Sequence, residues 1–214
     1  KKDNRVKLIH SDIKSYGYQM NLGIKEACGD YIGIVETDDY IQSDMYERLY
    51  DVVVGNPEEE IDFVKASYNQ IAECKGKVFC LPFTRDFDKS MLNRVLDLVE
   101  ERNMYDLNHI WSGIYRRDFL IGNSLWFNET MGASYQDTSF SLLVNLVAER
   151  CVYIGYEGYN YRTDNEGSSV KSDTKIDCVI HEYEYVVNKL KQLGLYDDVR
   201  KRLVLTNKLY TYKW

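Results

Sequence analysis

The sequence predicts an α/β fold, a mostly parallel sheet flanked by helices and followed by a C-terminal helical extension. Three observations point there. Short apolar runs bounded by polar or turn residues (Tyr31–Val35, Ile61–Tyr68, Ile110–Tyr115) read as buried strands. Segments with apolar residues at helical spacing lie between them, so strands and helices alternate. From Lys175 onward the period stays helical. Ile176, Val179, Tyr183, Val187 and Leu190 mark one long amphipathic helix, and Asp197 to Trp214 makes another beyond the Leu193-Gly194 break.

In chain order, Arg5 to His10 reads as a short strand, and Tyr18 to Ala27 as a helix with Met20, Ile24 and Ala27 inward and Gly29 as C-terminal cap. With Tyr31–Val35 they compose a β–α–β unit, which implies parallel strands. Met45, Leu49, Val52 and Val53 give one apolar face to a helix ending near Gly55-Asn56-Pro57. After the Ile61–Tyr68 strand, Gln70 to Asp88 reads as irregular with a short hairpin around Gly76, and Ser90 to Glu101 as a helix. Arg117 to Ile121 follows as a short helix, and Asp137 opens one carrying Phe140, Leu143, Val144 and Val147. Val152, Ile154 and Tyr156 alternate as a strand should, as do Tyr159 and Tyr161. The polar stretch Thr163–Asp173 is the candidate boundary, dividing residues 1–172 from a helical segment, 173–214.

Composition narrows the function. The 214 residues suffice for one sizeable domain, or a domain with a helical appendage. A net charge of -7 argues against nonspecific nucleic-acid binding. No apolar stretch approaches the ~20 residues of a membrane-spanning helix. The five cysteines have no CxxC spacing and read as reduced thiols of a cytoplasmic protein. Nineteen tyrosines are a high share, and each offers a flat apolar face with a polar tip.

The most informative stretch is the emptying of Tyr31–Val35 into Glu36-Thr37-Asp38-Asp39. Three carboxylates within four residues repel one another unless a cation sits among them. Mg²⁺ or Mn²⁺ prefers such oxygen ligands and uses them to hold substrate phosphates. The alternative is a solvated acidic turn that opens the next helix. Spacing leaves both readings open.

Several motifs in order resemble family 2 glycosyltransferases of the GT-A fold, a Rossmann-like architecture. Asn21-Leu22-Gly23-Ile24 is similar to that family's N-x-G helix, Gly29-Asp30-Tyr31-Ile32 to its G-[DE]-Y-I strand, and Glu36-Thr37-Asp38-Asp39-Tyr40-Ile41 to its D-x-D-type motif. Ile110-Trp111-Ser112-Gly113-Ile114-Tyr115 through Leu120 looks like the strand–turn–helix before its catalytic loop. Tyr135-Gln136-Asp137-Thr138-Ser139-Phe140 resembles its E-D-x-x-[FL] motif, and Tyr159-Asn160-Tyr161-Arg162 with Gly167-Ser168-Ser169 its Y-x-Y-R…G-S segment. The likeness spans roughly residues 5 to 172. Two departures stand out: Gln136 replaces an acidic residue, and Met20 replaces an Arg.

The resemblance implies an inverting, metal-dependent transfer of a sugar from a nucleotide-sugar donor to a glycan or lipid-linked acceptor, in bacterial surface polysaccharide synthesis. Asp38 would ligate the divalent cation (Mn²⁺ or Mg²⁺), with Glu36, Asp39 and Arg162 at the nucleotide diphosphate. Asp137 would be the general base, accepting the acceptor hydroxyl's proton. Trp111, Tyr135 and His109 would line the acceptor side. Without the resemblance, Asp137 reads first as a helix N-cap and the aromatics as core packing, while Arg162 reads equally as a surface ion pair.

The family's donor half begins with a β–α–β unit of ~30 residues, whereas few residues precede Arg5 here. The expectation is an N-terminally truncated domain, and a sheet missing strands would favour a homodimer or strand swapping. Lys189, Lys191, Lys201 and Arg202 among apolar positions suit either peripheral contact with the inner membrane face or a solvated face on a packing helix. Two other functions stay in play: sugar-nucleotide nucleotidyltransfer, which wants a Gly-rich phosphate loop near the start, and a catalytically silent interaction module.

Overall fold

A computed structural model describes residues 3–83, 89–101, 109–133, 135–164 and 176–211. Its strands are β1 (Tyr31–Gly33), β2 (Tyr40–Ile41), β3 (Phe63–Cys74), β4 (Lys77–Pro82), β5 (Gly113–Arg116) and β6 (Cys151–Arg162). Its helices are α1 (Tyr16–Glu26), α2 (Met45–Gly55), α3 (Leu98–Glu101), α4 (Arg117–Gly122), α5 (Gln136–Val147), α6 (Ile176–Gln192) and α7 (Asp198–Thr211). The sheet runs β1-β5-β3-β6-β2, with β4 paired to β3 beyond the reach of β5.

The expected mostly parallel sheet is corrected to a mixed one. Only β3 and β6 pair in parallel among the described strands, while β1–β5, β3–β5, β2–β6 and β3–β4 are antiparallel. The expected β–α–β unit is absent for the same reason. Tyr31–Gly33 takes β5 as its neighbour, Ile32 opposite Tyr115, rather than a parallel strand before α1. Residues 5–10 are not a strand: Val6 and Leu8 are 76% exposed, and no described strand pairs with them. A strand is held by its partner's ladder, so alternation alone does not make one.

The core is the layer between the sheet and α5. Phe63 and Tyr115 come from the strands, and Phe140, Leu142, Leu143 and Leu146 from the helix, while Val64 and Ile114 are buried on the other face of the sheet. Ten of the twelve α5 residues are buried, because the sheet covers one side and α6 the other. Phe127 stacks on Phe140 with centroids 4.0 Å apart. Asp62 ties three elements together. Its carboxylate accepts from Glu149 N (2.9 Å), Arg150 N (3.1 Å) and the Arg116 guanidinium (2.7 Å). Gly113 is required by crowding, since a Cβ there would lie 2.5 Å from the Val64 carbonyl oxygen.

Three local expectations change. Gln70–Pro82 is an ordered hairpin whose turn residues, Lys75 and Gly76, both have positive φ (52° and 71°) as a tight hairpin turn demands. Ser90–Glu101 is not one helix but a 3₁₀ turn at Lys89–Met91 and the short α3. Asn93 at φ 58° breaks the helical run, and its N–H and that of Leu96 donate to β6 carbonyls instead. The α1 helix ends on Ala27 rather than at Gly29. The α6 and α7 helices stand where the period placed them; the boundary at 165–173 and the Gly167-Ser168-Ser169 motif lie outside the described residues.

Candidate active site

The acidic loop leaves β1 and returns as β2, so both ends are fixed by the sheet. Two tyrosines hold it from either side. Tyr159, buried in β6, accepts from Glu36 N (3.1 Å) and donates to Asp39 Oδ2 (2.8 Å). Tyr16, at the first turn of α1, donates to Glu36 Oε1 (2.5 Å). The second Asp39 oxygen accepts from the Arg162 backbone N–H (2.8 Å). Arg162 thus reaches the loop through its backbone, and its guanidinium pairs with Asp164 at 3.2 Å. Asp38 lies exposed at the tip.

Asp137 comes from a separate part of the chain. The N-cap of α5 is Tyr135, with a left-handed backbone at φ 63°, and Asp137 is the second residue of the helix. The N-cap reading of Asp137 is therefore wrong. Its Oδ1 accepts only from the adjacent Thr138 N–H (2.9 Å) among the described hydrogen bonds. A bulky residue held in this backbone region costs of order 1–3 kcal/mol, and such strain gathers at functional sites.

Electrostatics joins the two segments. Burial raises Glu36 above the ordinary carboxylate range, and the charges of Asp137, Asp38 and Asp39 push it further. Burial also raises Asp39, partly offset by its bonds to Arg162 N and Tyr159. Asp137 is raised by burial as well, although its side chain keeps solvent contact. We refer to the surface around this exposed carboxylate as the recess. Tyr16 and Tyr161 are both raised, in part by the Asp137 charge, which places them around the same recess. The two shallow clefts of the surface lie elsewhere, at Tyr31, Tyr46 and Tyr50 and at Lys25, Trp126 and Tyr185.

Of the predicted aromatics, Trp111 is 9% exposed and stacks on Tyr159 (4.1 Å), His109 (4.7 Å) and Tyr161 (5.4 Å). It packs beneath the loop and braces the phenol that holds Asp39. His109 and Tyr135 are half-buried. Asn21 of the N-x-G motif is buried; its carboxamide donates to Phe127 O (3.0 Å) and Glu129 (2.9 Å) and accepts from Phe127 N (2.9 Å), clamping α1 to the segment before α5. Gly17 seats the same contact, because a Cβ there would strike the Asn128 carbonyl.

The donor set bears on the expected cation. Among the described residues no three His, Cys, Asp or Glu side chains form a metal-holding group. Glu36 and Asp39 are engaged by phenols, and Asp38 is exposed beside them. That chemistry fits a hard divalent ion held by one or two carboxylates, with water and phosphate oxygens completing its shell.

Sequence reasoning missed Glu182, which stands at the back of the recess. It is 1% exposed, raised to about 7 chiefly by burial, and also raised by the charge of Asp137. A signal was present: Glu182 falls on the apolar stripe of α6 with Val179, Tyr183, Val186 and Leu190. A charged residue there needs buried partners.

Comparison with known proteins gives a consistent picture. No family model matches the chain. It is 26% identical over 220 residues to glycosyltransferase GlyG of Streptococcus pneumoniae, covering 94% of this chain and 71% of that protein. It is 30% identical over 164 residues to the uncharacterized glycosyltransferase EpsJ of Bacillus subtilis, covering 76% of this chain and 46% of that one. The fold matches the crystal structure of S. aureus TarS 1–349 in complex with UDP-GlcNAc, with a TM-score of 0.66 at 18% identity over 92% of this chain. The chain spans about half the length of EpsJ and of that TarS structure. Glycosyltransferases are thus its relatives at modest identity, and its α/β fold is one it shares with TarS.

Proposed function

We propose that this chain carries the catalytic recess of an inverting, metal-dependent glycosyltransferase. It transfers a sugar from a nucleotide-sugar donor to a hydroxyl of a glycan or lipid-linked acceptor in bacterial surface polysaccharide synthesis. The observation that carries the reading is the meeting of carboxylates from two distant segments, Glu36, Asp38 and Asp39 with Asp137, close enough for their charges to raise Glu36. The TarS structure holding UDP-GlcNAc makes that compound the first donor to test.

In this reading the acceptor hydroxyl oxygen forms a bond to the anomeric carbon as the bond to the diphosphate breaks, and the hydroxyl proton passes to Asp137. The raised carboxyl suits the role, because a stronger base takes the proton more readily. Glu36 and Asp39, locked by Tyr16 and Tyr159, hold the donor side with Arg162. A divalent cation at Asp38, when bound, offsets the charge of the leaving diphosphate. Tyr135 and His109 face the acceptor, and Trp111 acts from below through Tyr159. No described helix is long and apolar enough to cross a membrane.

The test is transfer and hydrolysis of UDP-GlcNAc with Mn²⁺, beside calorimetric binding of Mn²⁺–UDP, in wild type and Asp137→Asn. Lost turnover with retained binding is expected. Full activity in Asp137→Asn would remove the base assignment. Absence of both binding and turnover with any nucleotide-sugar in the wild type would remove the enzyme reading.

A further inference from the structure

The geometry points to Glu182 of α6 as a positioning residue for Asp137, acting through a hydrogen-bonded frame that joins the tail helix to the recess. The inference deepens the transferase reading and rests on it for its kinetic consequence. Three donors from two segments converge on one buried carboxylate. Asn128 Nδ2 (3.0 Å) and Thr130 Oγ1 (3.3 Å) reach Oε1 from the strand-like segment before α5, and the Ser139 hydroxyl reaches Oε2 from the first turn of α5. Ser139 is two residues beyond Asp137.

The frame continues outward from Thr130. Its hydroxyl also accepts from Gln136 Nε2 (2.9 Å), and the same carboxamide lies 3.2 Å from Gly132 O. Gly132 in turn exchanges backbone bonds with the start of α1: its N–H donates to Lys14 O (2.7 Å), and its carbonyl accepts from Tyr16 N (2.9 Å). The Tyr16 hydroxyl then donates to Glu36. A continuous set of bonds therefore runs from Glu182 through Thr130, Gln136, Gly132 and Tyr16 to the acidic loop, with Ser139 as a branch into the first turn of α5.

Each step of this frame uses the residue type present. Gln136 donates to Thr130 and Gly132, which a carboxylate at that position could not do. Burying Glu182 is costly unless its oxygens are satisfied, and three donors satisfy them. Removing the carboxylate takes away the acceptor that Ser139, Asn128 and Thr130 share. The first turn of α5 is held on its outer side by that carboxylate, and Asp137 projects from its other side into the recess. Displacing a catalytic group by about 1 Å can cost on the order of 10²-fold in rate.

The experiment compares Glu182→Ala, Glu182→Gln and Thr130→Val by UDP-GlcNAc turnover and by amide hydrogen exchange. In Glu182→Ala, kcat falls on the order of 10- to 100-fold with donor KM unchanged. Exchange accelerates at Gly132, Thr138 and Ser139 while β3 and β6 stay protected. Glu182→Gln restores most of both readouts, because a carboxamide oxygen still accepts from Asn128 and Thr130 and its NH₂ can donate to Ser139. Thr130→Val keeps Glu182 but cuts the frame, and gives the same pattern in smaller measure. If Glu182→Gln fails as badly as Glu182→Ala, charge and not positioning is what Glu182 supplies, and the inference falls. Unchanged exchange at the first turn of α5 in a folded Glu182→Ala protein also overturns it. That readout is independent of turnover, so a chain inactive for other reasons still decides the question.

Discussion

The acidic loop and the first turn of α5 both present carboxylates to one recess, yet they are held in opposite ways. The loop acids are gripped directly. Tyr16 and Tyr159 bond to Glu36 and Asp39 themselves, and the Arg162 backbone takes the remaining oxygen of Asp39. Asp137 has no such side-chain grip among the described bonds; its helix turn is held from behind by Glu182, Thr130 and Gln136. A gripped carboxylate has its proton affinity set by its partners and is poorly placed to take a proton. A carboxylate positioned through its backbone keeps its oxygens for chemistry. Under the proposed function, the contrast separates a binding half from a reacting half.

The largest test of that contrast is Asp137→Asn. General-base catalysis contributes about 10²–10⁴-fold, so kcat should fall by that order while Mn²⁺–UDP affinity holds. Asp38→Ala should do the reverse, weakening Mn²⁺-dependent UDP binding on calorimetry by roughly tenfold or more and leaving the folding midpoint unchanged, since Asp38 is exposed. If the two variants give the same kinetic pattern, the division into halves is wrong. The wild-type acid limb of kcat/KM should sit above the usual Asp range of about 3.9, because burial raises Asp137; a limb at or below that value would argue against Asp137 as the base.

Tyr159→Phe comes next. It keeps the stacking on Trp111 but removes two bonds at once, leaving Glu36 N and Asp39 Oδ2 unsatisfied. A loss of about 1–3 kcal/mol in urea unfolding is expected, with weaker donor binding and little change in kcat once donor saturates. Phe at the position without any loss of stability would mean that water replaces the phenol, and that the loop is less fixed than its bonds indicate.

The two halves also differ in how far the sequence revealed them. The loop was legible because its signal is local, an apolar run and then three acids, whereas the return of Tyr40-Ile41 as β2 was not read from the sequence. The helix bearing Asp137 was legible from Phe140, Leu143, Val144 and Val147. What holds each in place was not, because Tyr16, Tyr159 and Glu182 are distant in sequence and their roles exist only after packing. Sheet direction failed for a related reason. Alternating strand and helix periods favour parallel pairing, but Ile32 lies opposite Tyr115, and that register depends on which edge β5 finds, not on local pattern. The Ser90–Glu101 helix failed because Leu96 gives its backbone to Cys151 across the edge of β6.

The smallest expected effect concerns pH and Glu182. Its carboxyl is raised in the folded protein from 4.5 to about 7, chiefly by burial. Between those values the folded chain holds a proton that the unfolded chain has released, so stability falls as pH rises. The contribution is fully present below about 4.5 and lost by about 7. Glu182→Gln cannot titrate and lacks this slope. Its melting temperature, plotted as a difference from wild type, should therefore climb by several degrees between pH 4.5 and 7, at roughly 2–4 °C per kcal/mol for a domain of this size, then level off. Asp137 contributes a slope of the same sign in both proteins and cancels in the difference. A flat difference would mean that Glu182 titrates in its ordinary range, held ionised by its three donors. In that case Glu182 would be charged at neutral pH, and the frame behind Asp137 would carry the same repulsion that marks the loop.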